Sequence, residues 1–159
     1  MSFIIYTTGF TKWKAKDFFY FIKENKISSL VDIRRFPNSQ LSGYTKSENF
    51  SFFLDKLSSC KYIDYWDSLK PDSIDLKEYR NKTISWDVFA NRYTKKLEKF
   101  NYEGSQIETL LKLNEKENII LLCSEVEFQQ CHRNLLTNYL ETLKNNLKII
   151  NINHKNFKL

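Results

Sequence analysis

A chain of 159 residues, 42% of them hydrophobic, has the size of one domain and enough apolar surface to close a core without disulfide or metal staples. No apolar run reaches the roughly 18 residues of a membrane span, and Met1–Ile5 moves straight into a strand pattern rather than a charged stretch before a signal core, so a cytoplasmic protein without membrane contact is expected. Three cysteines make a disulfide framework unexpected, while a formal charge of +6 and 16% aromatic content favour a nucleic acid or nucleotide as partner, although A/T-rich coding also produces Lys-, Asn- and Ile-rich chains.

Phe3–Thr8 is a β-branched and aromatic run ending at Gly9, which reads as a strand and then a turn where a side chain would crowd a neighbour. From Ala15 to Asn25, Phe18, Phe19, Phe21 and Ile22 recur at helical spacing. Ser29–Ile33 gives a second strand, and Arg34–Ser39 a loop closed by Pro37; strand, helix and strand together fit a right-handed crossover in a parallel sheet. Ser47–Leu57 reads as a capped amphipathic helix and Lys61–Tyr65 as a third strand. Residues 66–83, with Pro71 and scattered charges, read as an irregular surface excursion that could serve as a lid.

Ser85–Leu97 and Ser105–Asn114 carry helical periodicity behind serine caps. Asn118–Cys123 is the most continuous apolar run and should lie at the centre of a parallel sheet, buried on both faces. A helix over Cys131–Lys144 and a strand over Leu147–Ile152 follow. The expected architecture is a single α/β domain with a mostly parallel sheet of about five strands between helical layers.

In such a sheet ligands bind outside the carboxyl ends of the strands, where Thr8-Gly9, Asp32-Ile33-Arg34 and Cys123-Ser124-Glu125 should converge. Residues two apart in extended chain share a side, which pairs Asp32 with Arg34 and Cys123 with Glu125. Asp32 and Arg34 read either as a site or as an ion pair that holds a loop. Cys131-His132-Arg133 stands at the start of the last helix, whose free N–H groups should attract anions and lower the Cys131 pKa, with Arg133 gripping phosphate; the alternative has Arg133 capping local carbonyls around a buried Cys131.

Together, Thr8-Gly9, Asp32-Ile33-Arg34 with Pro37 and Ser39, Cys123-Ser124-Glu125 and Cys131-His132-Arg133 resemble the family catalogued as domain of unknown function 488, along nearly the whole chain. The resemblance implies a compact α/β fold with a polar cleft built from these segments, and work on nucleic acids or their bases. Two departures touch the entrance: Leu69-Lys70-Pro71 where the family often has a Gly pair, and Phe10 where it has a polar residue.

Four chemistries compete for these residues. Cys123, Cys131 and His132 could bind zinc with Glu125, but tight Cys-x-x-Cys knuckles are missing and the only other histidine is His154, so no metal and no cofactor is expected. The Cys-x₅-Arg phosphatase loop is absent, since Gln129 and Thr137 occupy the arginine positions, and adjacent Cys131 and His132 point about 100° apart on a helix, which weakens a thiol nucleophile. A redox pair requires the two sulfurs to meet. The preferred reading is carboxylate-driven cleavage of an N-glycosidic bond in DNA or a nucleotide: Asp32 or Glu125 acts at the sugar, Arg34 and Arg133 hold phosphate, and Thr8, Gly9, Ser39, Tyr44, Cys123, Cys131 and His132 line the site. A flipped base would stack on Phe36, Tyr44 or Trp66. The rival from another class is a binding module in which the carboxylates are structural.

Overall fold

The computed structural model describes residues 3–157. In chain order they form β1 (Ile4–Gly9), α1 (Ala15–Glu24), β2 (Ile27–Asp32), α2 (Ser47–Ser58), β3 (Lys61–Ile63), α3 (Ser73–Arg80), α4 (Trp86–Lys99), α5 (Gln106–Asn114), β4 (Asn118–Cys123), α6 (His132–Leu143) and β5 (Lys148–Asn151), with 3-10 turns at Gln40–Thr45 and Asp67–Leu69. The strands make one sheet in the order β3-β2-β4-β1-β5, every pairing parallel. No helix among the described residues is long and apolar enough to cross a membrane.

The apolar run Asn118–Cys123 takes the central place, and Ile119 through Cys123 are fully buried. Successive strand residues point to opposite faces, so Ile119, Leu121 and Cys123 pack under α4, α5 and α6 with Tyr93, Leu97, Leu110, Leu136 and Leu140. Ile120 and Leu122 face the other way, onto Phe18, Phe21, Ile22, Phe50 and Leu54 of α1 and α2. The result is a helix–sheet–helix sandwich with two cores.

Helix starts follow the sequence in most places. Ser85 Oγ accepts from the Val88 N–H at 3.3 Å and Ser105 Oγ from the Glu108 N–H at 3.2 Å. At α2 the cap comes from elsewhere: Asn38 Oδ1 accepts from the Ser47 N–H at 2.9 Å and from its hydroxyl at 2.5 Å, tying the β2–α2 connection to the helix it feeds.

Segment 66–83 is not irregular. It contains the turn Asp67–Leu69 and helix α3, fixed to α4 by Arg92 Nη1 on Asp75 at 2.8 Å and Glu78 at 2.7 Å and by the Tyr79 ring stacked on Phe89 at 5.1 Å. Only Leu76 of α3 is buried, so the helix has almost no apolar period to read and owes its place to these cross-contacts. β3 stops at Ile63 rather than Tyr65, where the chain leaves the sheet edge and Lys70 Nζ donates to the Asp64 carbonyl.

Candidate functional site

A cleft of about 1180 Å³ opens outside the carboxyl ends of β1, β2 and β4. The turn after β1, the loop after β2, the 3-10 turn at Gln40–Thr45, the α3–α4 corner and the start of α6 supply its walls. Its charge is lopsided. Among the described lining residues, Lys12, Arg34, Arg35, Arg80 and Lys82 are cationic, and Glu125 is the single carboxylate. Aromatic faces stand between them: Phe10, Phe36, Tyr44, Tyr79 and Trp86.

Gly9 makes this geometry possible. A Cβ there would stand 1.7 Å from the Glu125 carbonyl oxygen, so only glycine lets the end of β1 meet the chain leaving β4. Thr8 beside it is buried and structural: its hydroxyl accepts from Trp13 Nε1 at 3.0 Å and donates to the Gly9 carbonyl at 3.2 Å.

Asp32 closes β2 but does not face the cleft. It is 1% exposed, and its carboxylate accepts from Arg34 Nε at 2.9 Å, Arg34 Nη2 at 2.6 Å, the Arg34 N–H at 3.0 Å and the Tyr62 hydroxyl at 2.6 Å. Arg34 in turn donates to Thr45 Oγ1 and to the Thr45 carbonyl, each at 2.7 Å, and lies over the Phe10 ring at 5.1 Å. Burial, then the neighbouring Asp32 charge, holds the Tyr62 hydroxyl well above its ordinary value. Asp32 thus anchors Arg34, and Arg34 fixes the turn that carries Ser42 and Tyr44 to the cleft.

Within the Cys-His-Arg motif, Cys131 and His132 border the inner wall of the cleft, whereas Arg133 turns away from it. Arg133 is fully buried and donates from Nη1 to Cys123 Sγ at 2.7 Å and to the Glu125 carbonyl, and from Nη2 to the Val126 carbonyl at 3.0 Å. It braces the loop between β4 and α6 and does not line the cleft, so its expected phosphate grip is replaced by the carbonyl-capping arrangement. The Cys123 and Cys131 sulfurs lie 3.0 Å apart, both thiols free and buried.

Their proton affinities run opposite to the expectation for Cys131. Burial alone would push the Cys123 thiol up, but the hydrogen bond from Cys131 and the charge and hydrogen bond of Arg133 outweigh it and leave Cys123 below its ordinary value. Cys131, at the N-cap of α6, is held well above by burial and then by the neighbouring Cys123 sulfur, which outweigh the attraction of Arg133.

His132 places Nε2 3.0 Å from the Ile33 carbonyl and its ring edge against Tyr93 at 5.8 Å. Burial pushes its pKa down to about 4, so the imidazole is neutral at pH 7 and donates Nε2–H to that carbonyl. A guanidinium against Cys123 and a histidine turned to backbone leave these side chains poorly arranged for zinc, and among the described residues no group of three or more His, Cys, Asp or Glu converges on a metal position.

Glu125 is the predicted carboxylate that reaches the cleft. β4 ends at Cys123, the strand alternation is lost, and Glu125 emerges on the rim with its side chain 55% exposed, 3.8 Å from the equally open Arg80. Ser39 and Tyr44 line the opposite wall, with the Tyr44 hydroxyl 3.4 Å from the Trp13 carbonyl. Of the three aromatics expected to stack, Phe36 and Tyr44 face the cleft, whereas Trp66 is buried in the core. Arg35, Arg80, Lys82, Tyr79 and Trp86 escaped the sequence reading. For Tyr79, Arg80 and Lys82 the signal is the alternation of aromatic and basic residues in Tyr79-Arg80-Asn81-Lys82, within the stretch taken as irregular, while Trp86 opens the predicted helix and Arg35 lies in the predicted loop after the second strand.

Comparison of the chain with curated proteins and with solved structures found no match. Residues 14–140 match the family described as Domain of unknown function DUF488, a span that takes in Asp32, Arg34, Arg35, Arg80, Lys82 and the whole of Cys123–Arg133. The chain therefore belongs to the DUF488 family.

Proposed function

We propose that this protein processes nucleic acids or nucleotides in the cleft at the carboxyl edge of the sheet, and that its reaction is cleavage of a base N-glycosidic bond in DNA. The observation that carries the reading is the composition of that cleft: Lys12, Arg80 and Lys82, with Arg35 held by Asp67, stand among the aromatic faces of Phe10, Phe36, Tyr44, Tyr79 and Trp86 around the Glu125 carboxylate, while Arg34 is spent on Asp32. Cations spaced along an open wall suit phosphates, and aromatic rings offer stacking to unpaired bases.

Glu125 is the group at the reacting centre. As a carboxylate it orients an attacking water and stabilises the oxocarbenium-like sugar as the base departs. Arg35, Arg80 and Lys82 hold the flanking phosphates, and Phe36, Tyr44 or Trp86 stacks on the extruded base. Asp32 and Arg133 act as positioning residues, the first through Arg34 and the second through the Glu125 carbonyl.

A second reading draws on a specific observation: of the two strand-end carboxylates, one is sealed under Arg34 and Tyr62. A site with a single open carboxylate also suits a module that binds nucleic acid without turnover. Incubation with DNA carrying a panel of normal and modified bases, followed by mass spectrometry of released bases, separates the two. The enzymatic reading expects release that disappears in Glu125→Gln; no release from any substrate, with DNA binding retained, leaves the binding module.

A further inference from the structure

The thiol pair behind the cleft takes no part in the proposed reaction, and its geometry suits a different chemistry. The sulfurs of Cys123 and Cys131 are 3.0 Å apart, and disulfide formation needs that separation to shorten to roughly 2.05 Å. Arg133 donates to Cys123 at 2.7 Å but reaches Cys131 only at 3.7 Å, so its charge singles out one sulfur. The neighbour is thereby left as the proton donor. Cys131 borders the inner wall of the cleft and is 1% exposed, and Cys123 lies directly behind it at 0%, so a small oxidant reaches the pair from the cleft side when that wall opens. Cys60, the third cysteine, lies in the other core beside α2.

We propose that Cys123 and Cys131 are a peroxide-sensitive pair that closes to a reversible intramolecular disulfide, with Cys123 as the sulfur oxidised first and Cys131 as the resolving thiol. Cys123 thiolate attacks one oxygen of hydrogen peroxide, the O–O bond breaks, and the departing hydroxide takes the Cys131 proton to become water. Cys131 thiolate then attacks the Cys123 sulfenic sulfur, an S–S bond forms, and the second hydroxide is protonated by solvent. Two thiols lose two electrons and two protons, and one peroxide becomes two waters. The lowered proton affinity of Cys123 and the raised one of Cys131 agree with this order.

The disulfide alters the sulfur that accepts from Arg133, the residue that also holds the Glu125 and Val126 carbonyls. Oxidation therefore reaches the rim of the cleft through the β4–α6 loop. The inference does not rest on the identity of the cleft's ligand.

The test treats the full chain with hydrogen peroxide, alkylates it under denaturing conditions and maps the cysteines by mass spectrometry. Wild type should lose two of its three alkylatable thiols, retain Cys60, and recover both on reduction with dithiothreitol. Cys60→Ser should form the same bridge. Cys131→Ser should form none and instead carry sulfinic or sulfonic acid at Cys123. Three alkylatable thiols after peroxide, or over-oxidised Cys123 without a bridge in wild type, would overturn the proposal, and both readings come from wild type alone.

Discussion

Two acid–arginine pairs stand within one sheet edge and do opposite work. Asp32 and Arg34 meet at 2.6 Å with side chains 0% and 1% exposed, surrounded by Tyr62, Thr45 and Phe50. Glu125 and Arg80 stand 3.8 Å apart with side chains about half exposed, facing an open cleft. The first pair spends its hydrogen bonds on Thr45, Tyr62 and each other, whereas the second leaves both side chains open to the cleft. Depth, rather than residue type, separates them.

The largest effect should come from breaking the buried pair. Asp32→Asn leaves Arg34 buried without its counter-charge, and removing one partner of such a pair costs about 3–5 kcal/mol. Urea unfolding should show that loss; a change under about 1 kcal/mol would mean that Asp32 does not anchor the edge.

A second prediction concerns His132, which ties the start of α6 to the Ile33 carbonyl one residue past Asp32. Its folded pKa of about 4 lies below the unfolded 6.5, so between those values the unfolded chain binds the extra proton. Stability is then fully present above pH 6.5 and falls as pH drops toward 4, by about 3 kcal/mol at 1.36 kcal/mol per pH unit. The denaturation midpoint of wild type measured against His132→Gln over this window checks it; parallel profiles would contradict it.

Gly9→Ala should cost about 1–3 kcal/mol, because the added methyl meets the Glu125 carbonyl and the two strand ends must move apart. This substitution also displaces Glu125, so any ligand affinity should fall with stability. The smallest stability effects belong to the open pair. Glu125→Gln and Arg80→Ala should each leave stability within about 1 kcal/mol of wild type, while Glu125→Gln abolishes any base release. Marked destabilisation of Glu125→Gln would erase the contrast between the pairs.

Much of the fold is legible in the sequence because its signals are periodic. Asn118–Cys123 announces a central strand by unbroken burial, and Phe18 to Ile22 a helix by its face. α3 has one buried residue and no such period, and its stability comes from Arg92 and the Tyr79–Phe89 stack, partners distant in sequence. The cations at Arg80 and Lys82 are hidden for the same reason.

The site is legible to the edge but not to the depth. Two-residue spacing places Asp32 with Arg34 on one side of a strand, and nothing local says that Tyr62 and Thr45 seal that side. Cys123 and Glu125 share the same spacing, yet β4 ends between them and sends one inward and one to the rim. Cys131-His132-Arg133 reads as an anion site because its helix start is exposed in sequence terms, whereas the fold spends Arg133 on two loop carbonyls and a sulfur.

The most direct test of the central claim, that nucleic acid lies along the cationic wall of this cleft, is the salt dependence of single-stranded DNA binding by wild type and by Arg35→Ala/Arg80→Ala/Lys82→Ala, followed by fluorescence anisotropy. Each phosphate contact contributes a slope of about −0.7 in log affinity against log salt, so the triple variant should bind more weakly and with a slope shallower by about 2. Equal affinity and equal slope for the two proteins would place any DNA binding elsewhere on the molecule and contradict the account.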